Sequence, residues 1–295
     1  MLAGEIQSSI EAAVSAATGR LFRIEFIQPA SGGCIHRSFR IEGHNARYFV
    51  KTNSAEFADA FAAEADGLEA LAAAGVSAPR PVTHGCAGTH SWLAMQFLPL
   101  VDAGNYAALG RTVAALHSVR GERYGWRRDN FIGATPQRNG SSKSWSGFWR
   151  EQRLLPQLEL AKKNGFGKSL ARKGEQLAIV LPQLLSGHEP AASLLHGDLW
   201  NGNAGFLENG APVLFDPAVF YGDREADIAM TELFGGFPLA FYEAYLGVAP
   251  LDAGYARRKT LYNLYHVLNH ANLFGGGYVA RAEQMMNQLL AETKA

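Results

Sequence analysis

One stretch of the chain concentrates side chains able to do chemistry. It reads His196-Gly197-Asp198-Leu199-Trp200-Asn201-Gly202-Asn203, and Asp216-Pro217 follows after a hairpin. Asp198 can orient a hydroxyl group and take its proton. Asn203 and Asp216 offer hard oxygen atoms of the kind that hold magnesium against phosphates. Together these are the groups that moving a phosphoryl group from ATP onto a hydroxyl requires. An aspartate after a glycine is by itself usually a solvated turn residue, so the weight lies in the combination.

These groups need elements to bring them together. Asn209-Gly210 lies between Ala204–Leu207 and Pro212–Phe215, and an Asn-Gly pair between two short apolar runs is a strong hairpin signal. That turn folds Asp216 back toward the loop that carries Asn203. The five-residue step from Asp198 to Asn203 is also the step between the catalytic aspartate and the metal-binding asparagine of a protein-kinase catalytic loop. Upstream, Lys51 closes the strand Tyr48-Phe49-Val50-Lys51, where a kinase places an ammonium for the α- and β-phosphates. Glu64 lies on the helical stripe of Phe57, Phe61, Leu68 and Leu71. A carboxylate inside an apolar stripe is costly without a cation, and Lys51 is the candidate partner. Ser31, Gly32 and Gly33 form a turn whose amides can approach phosphate, although two glycines in a hairpin are often only a turn. Met95, Gln96, Phe97 and Leu98 form the strand edge at which adenine would meet backbone groups.

The surrounding pattern predicts an α+β, bilobal, protein-kinase-like fold. Residues 1–98 read as a nucleotide-binding lobe built on a small antiparallel sheet: strands at Phe22–Ile27, Ile35–Ile41 and Arg47–Thr52, a helix at Glu56–Ala74, and more strand up to Leu98. Residues 99–295 read as a larger, mostly helical lobe that holds the catalytic loop and the substrate site. Pro156 is expected to kink or divide a long helical segment at Trp145–Ala161. The 295 residues, 47% of them apolar, suffice for a sizeable core, and 27 basic residues balance 27 acidic ones. That balance predicts no nucleic acid and no membrane as partner. The amino terminus lacks an export signal, and no apolar run is long enough to span a bilayer, which predicts a cytoplasmic protein; a monomer or homodimer is expected, and the sequence does not choose between them. Cys34 and Cys86 are too few for a disulfide framework or a structural zinc site.

With these residues in place, the chain resembles the fructosamine kinase family, relatives of aminoglycoside phosphotransferases and choline kinases. The likeness covers nearly the whole chain. Besides His196–Asn203 it includes Asp129-Asn130-Phe131-Ile132-Gly133-Ala134-Thr135-Pro136-Gln137, with the later Trp145 and Phe148-Trp149. It also includes Asp216-Pro217-Ala218 leading to Tyr221–Met230, and Phe234-Gly235-Gly236-Phe237. The resemblance implies ATP- and magnesium-dependent phosphorylation of a ketosamine at carbon three of the sugar. The phosphorylated adduct then falls apart and frees the amine, a repair of glycation on a small amine or a protein. Pro217 stands where protein kinases have Phe-Gly, so no movable activation loop is expected.

A ketosamine presents hydroxyls and an amine, which calls for aromatic walls and polar groups. Trp200, two residues beyond Asp198, is the first aromatic candidate and Trp149 the second; Trp145, Phe148 and Trp149 also have the spacing of a helix core. Asp129 and Asn130 either bind substrate or cap a turn. His196 is expected to brace the loop and His117 to be a satisfied histidine. Asp227 is either a brace for the catalytic loop or a helix-terminus charge. Cys34, beside the glycine turn, is either inert or a redox switch for the nucleotide site.

Overall fold

The structure, a computed structural model, describes residues 4–30 and 35–293. Ser31, Gly32, Gly33 and Cys34, and with them the phosphate-turn and thiol expectations, lie outside the described residues. The chain divides into two compact units. One comprises the residues up to Asn105 together with Gly202–Pro217, the other Tyr106–Asn201 and Ala218 onward. The boundary expected after residue 98 is therefore corrected: the segment with the Asn-Gly hairpin belongs to the amino-terminal unit. Its backbone explains why, since Val101 and Phe206 exchange hydrogen bonds and the Leu214 amide donates to Ser77 O at 3.0 Å.

The first unit contains helix α1 (Gly4–Thr18), strands β1 (Phe26–Ala30), β2 (Arg37–Gly43) and β3 (Ala46–Ser54), helix α2 (Ala58–Ala73), and strands β4 (Pro81–Ala87) and β5 (His90–Gln96). The strands form one antiparallel sheet in the order β1-β2-β3-β5-β4. Ile6, Ile10 and Val14 from α1 pack on Phe39, Ile41, Val50 and Trp92 of the sheet. The first strand starts later than the apolar run Phe22–Ile27 predicts. Glu11 accepts the Ile24 amide at 2.8 Å and Ser15 Oγ accepts the Phe22 amide at 2.8 Å, so α1 takes the start of that run away from the sheet.

The second unit is mainly helical: α3 (Tyr106–Leu116), α4 (Trp145–Phe148), α5 (Leu155–Lys163), α6 (Lys168–Leu184), α7 (Glu225–Leu233), α8 (Leu239–Val248), α9 (Tyr255–Phe274) and α10 (Gly277–Glu292). Two short antiparallel pairs accompany them, Asn130–Ile132 with Thr135–Gln137, and Ser193–Leu195 with Phe220–Gly222. The expected division at Pro156 takes a specific form. The backbone winds as a π-helix over Trp149–Leu154 and returns to α-helix at Leu155, which puts Pro156 in a first turn, where a missing N–H costs little. Among the described residues, no helix is long and apolar enough to cross a membrane.

Candidate active site

In the first unit, Lys51 on β3 is 6% exposed and lies between two carboxylates. Its Nζ donates to Glu64 Oε1 at 2.7 Å and to Asp216 Oδ1 at 2.5 Å. The expected Lys51–Glu64 pair is present; its third member, Asp216, comes from 165 residues away in sequence. Burial disfavours the ammonium, but Asp216 and Glu64 outweigh it and hold the lysine pKa above its ordinary value. Glu64 is pushed up to about 7 by burial, with Lys51 pulling down and the charge of Asp216 pushing further up. Two anions thus share one buried cation.

Asp216 is positioned by backbone geometry. It adopts a left-handed conformation, φ 55°, unusual for a residue with a side chain. Phe215, just before it, donates its amide to Asn203 O at 3.1 Å, so the two expected magnesium ligands sit on paired segments. A Cβ on Gly67 of α2 would lie 3.0 Å from Pro217 Cγ; the glycine lets α2, which carries Glu64, approach the Asp216-Pro217 step. Met95 and Gln96 end β5, where the Gln96 amide donates to Arg80 O at 2.8 Å; Phe97 and Leu98 follow, half-buried.

The second unit carries Asp198, whose side chain is 22% exposed. Its loop is anchored by Asp227 at the start of α7, which accepts the His196 amide at 2.7 Å and the Gly197 amide at 2.9 Å. His117 Nε2 lies 3.1 Å from the same carboxylate and its Nδ1 2.9 Å from Tyr245 Oη. Of the two readings of Asp227, the loop brace holds, and His117 is satisfied as expected. Burial alone would raise the Asp227 pKa; the hydrogen bonds and charge of His117, with the Gly197 amide, instead hold it below the usual range. Gly197 is required twice, by its φ of 83° and because a Cβ there would come 2.0 Å from Ala218 O. His196 Nδ1 accepts the Asp198 amide at 3.3 Å, the brace expected of it. Helix α7 is itself fixed by Arg258, which grips both oxygens of Glu225 at 2.6 and 2.7 Å.

The expected substrate residues fare differently. Trp200 is 36% exposed and meets Phe234 edge-on. Trp149 is corrected: it is 2% exposed and packed against Trp145, Tyr262 and Tyr265, a core residue as its helical spacing allowed. Asn130 is corrected as well. It is buried, donates to Val219 O at 2.8 Å, and accepts from Gln137 Nε2 and Asn139 Nδ2, which leaves its amide spent on the fold. Asp129 takes the turn-capping role by accepting the Asn139 amide at 2.8 Å. The segment Asn130–Gln137 thus buttresses the strand after Asp216-Pro217, since Gln137 also donates to Ala218 O at 3.1 Å. Two features were missed. His266 on α9 places Nδ1 3.9 Å from Asp198 Oδ1, and Arg153, fully buried, stacks 4.0 Å from the Phe220 ring centroid. The run Tyr265-His266-Val267 inside a helix gives no warning of the first.

The fold is that of the protein-kinase-like phosphotransferases. Over 97% of its length the chain superposes on a thermostable mutant of the aminoglycoside phosphotransferase APH(4)-Ia in ternary complex with ADP and hygromycin B, covering 99% of that chain with a TM-score of 0.64 at 15% identity. The fructosamine kinase family model matches residues 6–292, and the chain belongs to that family. It is 47% identical over 285 residues to a probable ketoamine kinase of Synechocystis, covering 94% of each chain. It is 38% identical over 282 residues to the chloroplastic protein-ribulosamine 3-kinase of Arabidopsis thaliana, covering 94% of this chain and 86% of that one. The crystal structure of a putative fructosamine-3-kinase from Haemophilus somnus superposes with a TM-score of 0.88 at 30% identity, over 95% of this chain and 96% of the other.

Proposed function

We propose that this protein is an ATP-dependent kinase that phosphorylates a sugar hydroxyl of ketosamines, fructosamines or ribulosamines, as a cytoplasmic deglycation repair enzyme. The observation that carries the phosphoryl-transfer part is Lys51, fixed within β3 by Glu64 and Asp216. A buried cation held by two carboxylates from distant parts of the chain is expensive to build for packing alone, whereas a nucleotide phosphate gives it a use. The acceptor class rests on the family and on its relatives, which carry the names ketoamine kinase and ribulosamine 3-kinase.

In this reading Lys51 meets the phosphates of ATP, and the backbone at Met95–Leu98 receives the adenine. Asn203 and Asp216 would hold magnesium. Their donors are the hard oxygens that ion prefers, and Asp216, 37% exposed, combines an accessible carboxylate with a backbone conformation fixed off the usual path. When bound, the ion supplies positive charge against the phosphate oxygens. Asp198 orients the acceptor hydroxyl and takes its proton, while His196 and Asp227 keep its loop in place. Trp200 offers a wall to the acceptor.

The test is a panel of fructosamines, ribulosamines, aminoglycosides and choline, each with ATP and magnesium, read by phosphate incorporation. Turnover is expected for the ketosamines. Turnover confined to an aminoglycoside or choline would replace this acceptor class with another on the same fold.

A further inference from the structure

His266 presents an unusual combination. It is 4% exposed, and its Nδ1 is a buried nitrogen without a hydrogen-bond partner, 3.9 Å from Asp198 Oδ1. A buried polar nitrogen left without a partner is costly. The separation lets one hydroxyl oxygen stand within hydrogen-bond reach, about 2.8 Å, of both atoms. From this point a chain of rings leads along α9. His270, one turn beyond His266, lies 4.9 Å from Phe234, 5.6 Å from Phe274 and 5.1 Å from Tyr278, and Phe234 lies 6.0 Å from Trp200, all between ring centroids. The rings are not closed off by packing: Phe274 is 56% exposed and Trp200 36%. His270 Nδ1 lies 2.8 Å from His266 O, a backbone acceptor, so that nitrogen carries the proton and Nε2 is the accepting side of the ring. Burial keeps both imidazoles neutral at pH 7, which spares a cationic amine from repulsion.

We infer that this track is the acceptor subsite: a sugar hydroxyl bridges Asp198 and His266, and the group on the ketosamine nitrogen lies along Trp200, Phe234, His270, Phe274 and Tyr278. The amine N–H then faces an imidazole acceptor and ring faces suited to a cation. Ketosamines of aromatic or bulky apolar amines are the favoured acceptors, because only they cover the outer rings. This inference rests on the ketosamine reading above and adds the direction in which the amine points.

The experiment compares two ketosamines of the same sugar, one made from benzylamine and one from methylamine, with the full-length protein, ATP and magnesium. The wild type is expected to show a KM about tenfold lower for the benzyl acceptor, the scale of one good ring contact. Phe274→Ala and Tyr278→Leu should each bring that ratio toward one, whereas Ile179→Ala, at an exposed position of α6, should keep it. For the inner end, His266→Leu should lower kcat for both acceptors more than tenfold, and His266→Gln, which keeps a donor, should recover part of the loss. Equal KM values in the wild type, or a ratio unmoved by both ring substitutions, would overturn the track while leaving a working ketosamine kinase. Failure to phosphorylate either compound would instead sink the ketosamine reading itself.

Discussion

Around Lys51 the side chains are held by charge, whereas around Asp227 they are held by amides and imidazole. In the first region two carboxylates converge on one buried ammonium, which leaves an excess of negative charge. In the second, one buried carboxylate receives two backbone N–H groups and a histidine nitrogen, so it is held by three hydrogen bonds. The first arrangement suits a place where another cation is to arrive. The second suits a loop that must stay where it is. Charge balance and hydrogen-bond saturation are different ways to fix a side chain, and substitutions should separate them.

The largest effect is expected at Asp198, the proposed acceptor of the hydroxyl proton. Asp198→Ala should lower turnover about a thousandfold or more while ATP affinity, read by calorimetry, stays close to wild type; wild-type turnover in that variant would refute its role. Next comes Asp227→Ala, which strands two buried amides and His117 at once. A loss of about 3 kcal/mol in urea unfolding is expected, together with a fall in kcat. If Asp227 were only a helix-end charge, the cost would stay below about 1 kcal/mol.

In the charge-held region, Lys51→Met removes the cation that both carboxylates share and should cost about 3 kcal/mol. Adding Glu64→Gln should then restore part of that stability, because the surplus negative charge is what hurts. A double variant no more stable than the single one would contradict the charge-balance account.

The smallest effect concerns pH. His266 has a pKa near 6.5 when unfolded and about 3 in place, lowered by burial first and by His270 second. Between those values the unfolded chain binds the extra proton, so stability falls as pH falls below 6.5. About 1.6 kcal/mol should be lost between pH 6.5 and 5. His36, lowered to about 4 by burial and then by Lys51, adds in the same direction. Urea midpoints at the two pH values should converge in His266→Gln relative to wild type; an unchanged gap would remove His266 as the source.

Much of this was legible in the residues. Glu64 stood on an apolar stripe, where burial demands a cation, and Lys51 was the one at the end of a strand. Asn209-Gly210 announced its hairpin through a turn only such pairs make easily. What local pattern could not show was long-range. The Lys51–Asp216 bond joins residues 165 apart, and no periodicity reports it. The hairpin's membership of the amino-terminal unit depends on the exchange between Val101 and Phe206, neither of which advertises a partner. Trp149 and Asn130 were misread for a related cause: an aromatic ring and an amide suit a ligand and a core equally well until their neighbours are known.

Because Gly202–Pro217 completes a unit whose other residues end at Asn105, synthesis on the ribosome delivers that unit in two instalments. At about 5–20 residues per second, some 5–20 seconds pass between them. Throughout that interval the nascent sheet and α2 must carry Lys51 and Glu64 without Asp216. Shortened transcripts ending before the hairpin should accordingly yield chains that depend on chaperones or are degraded.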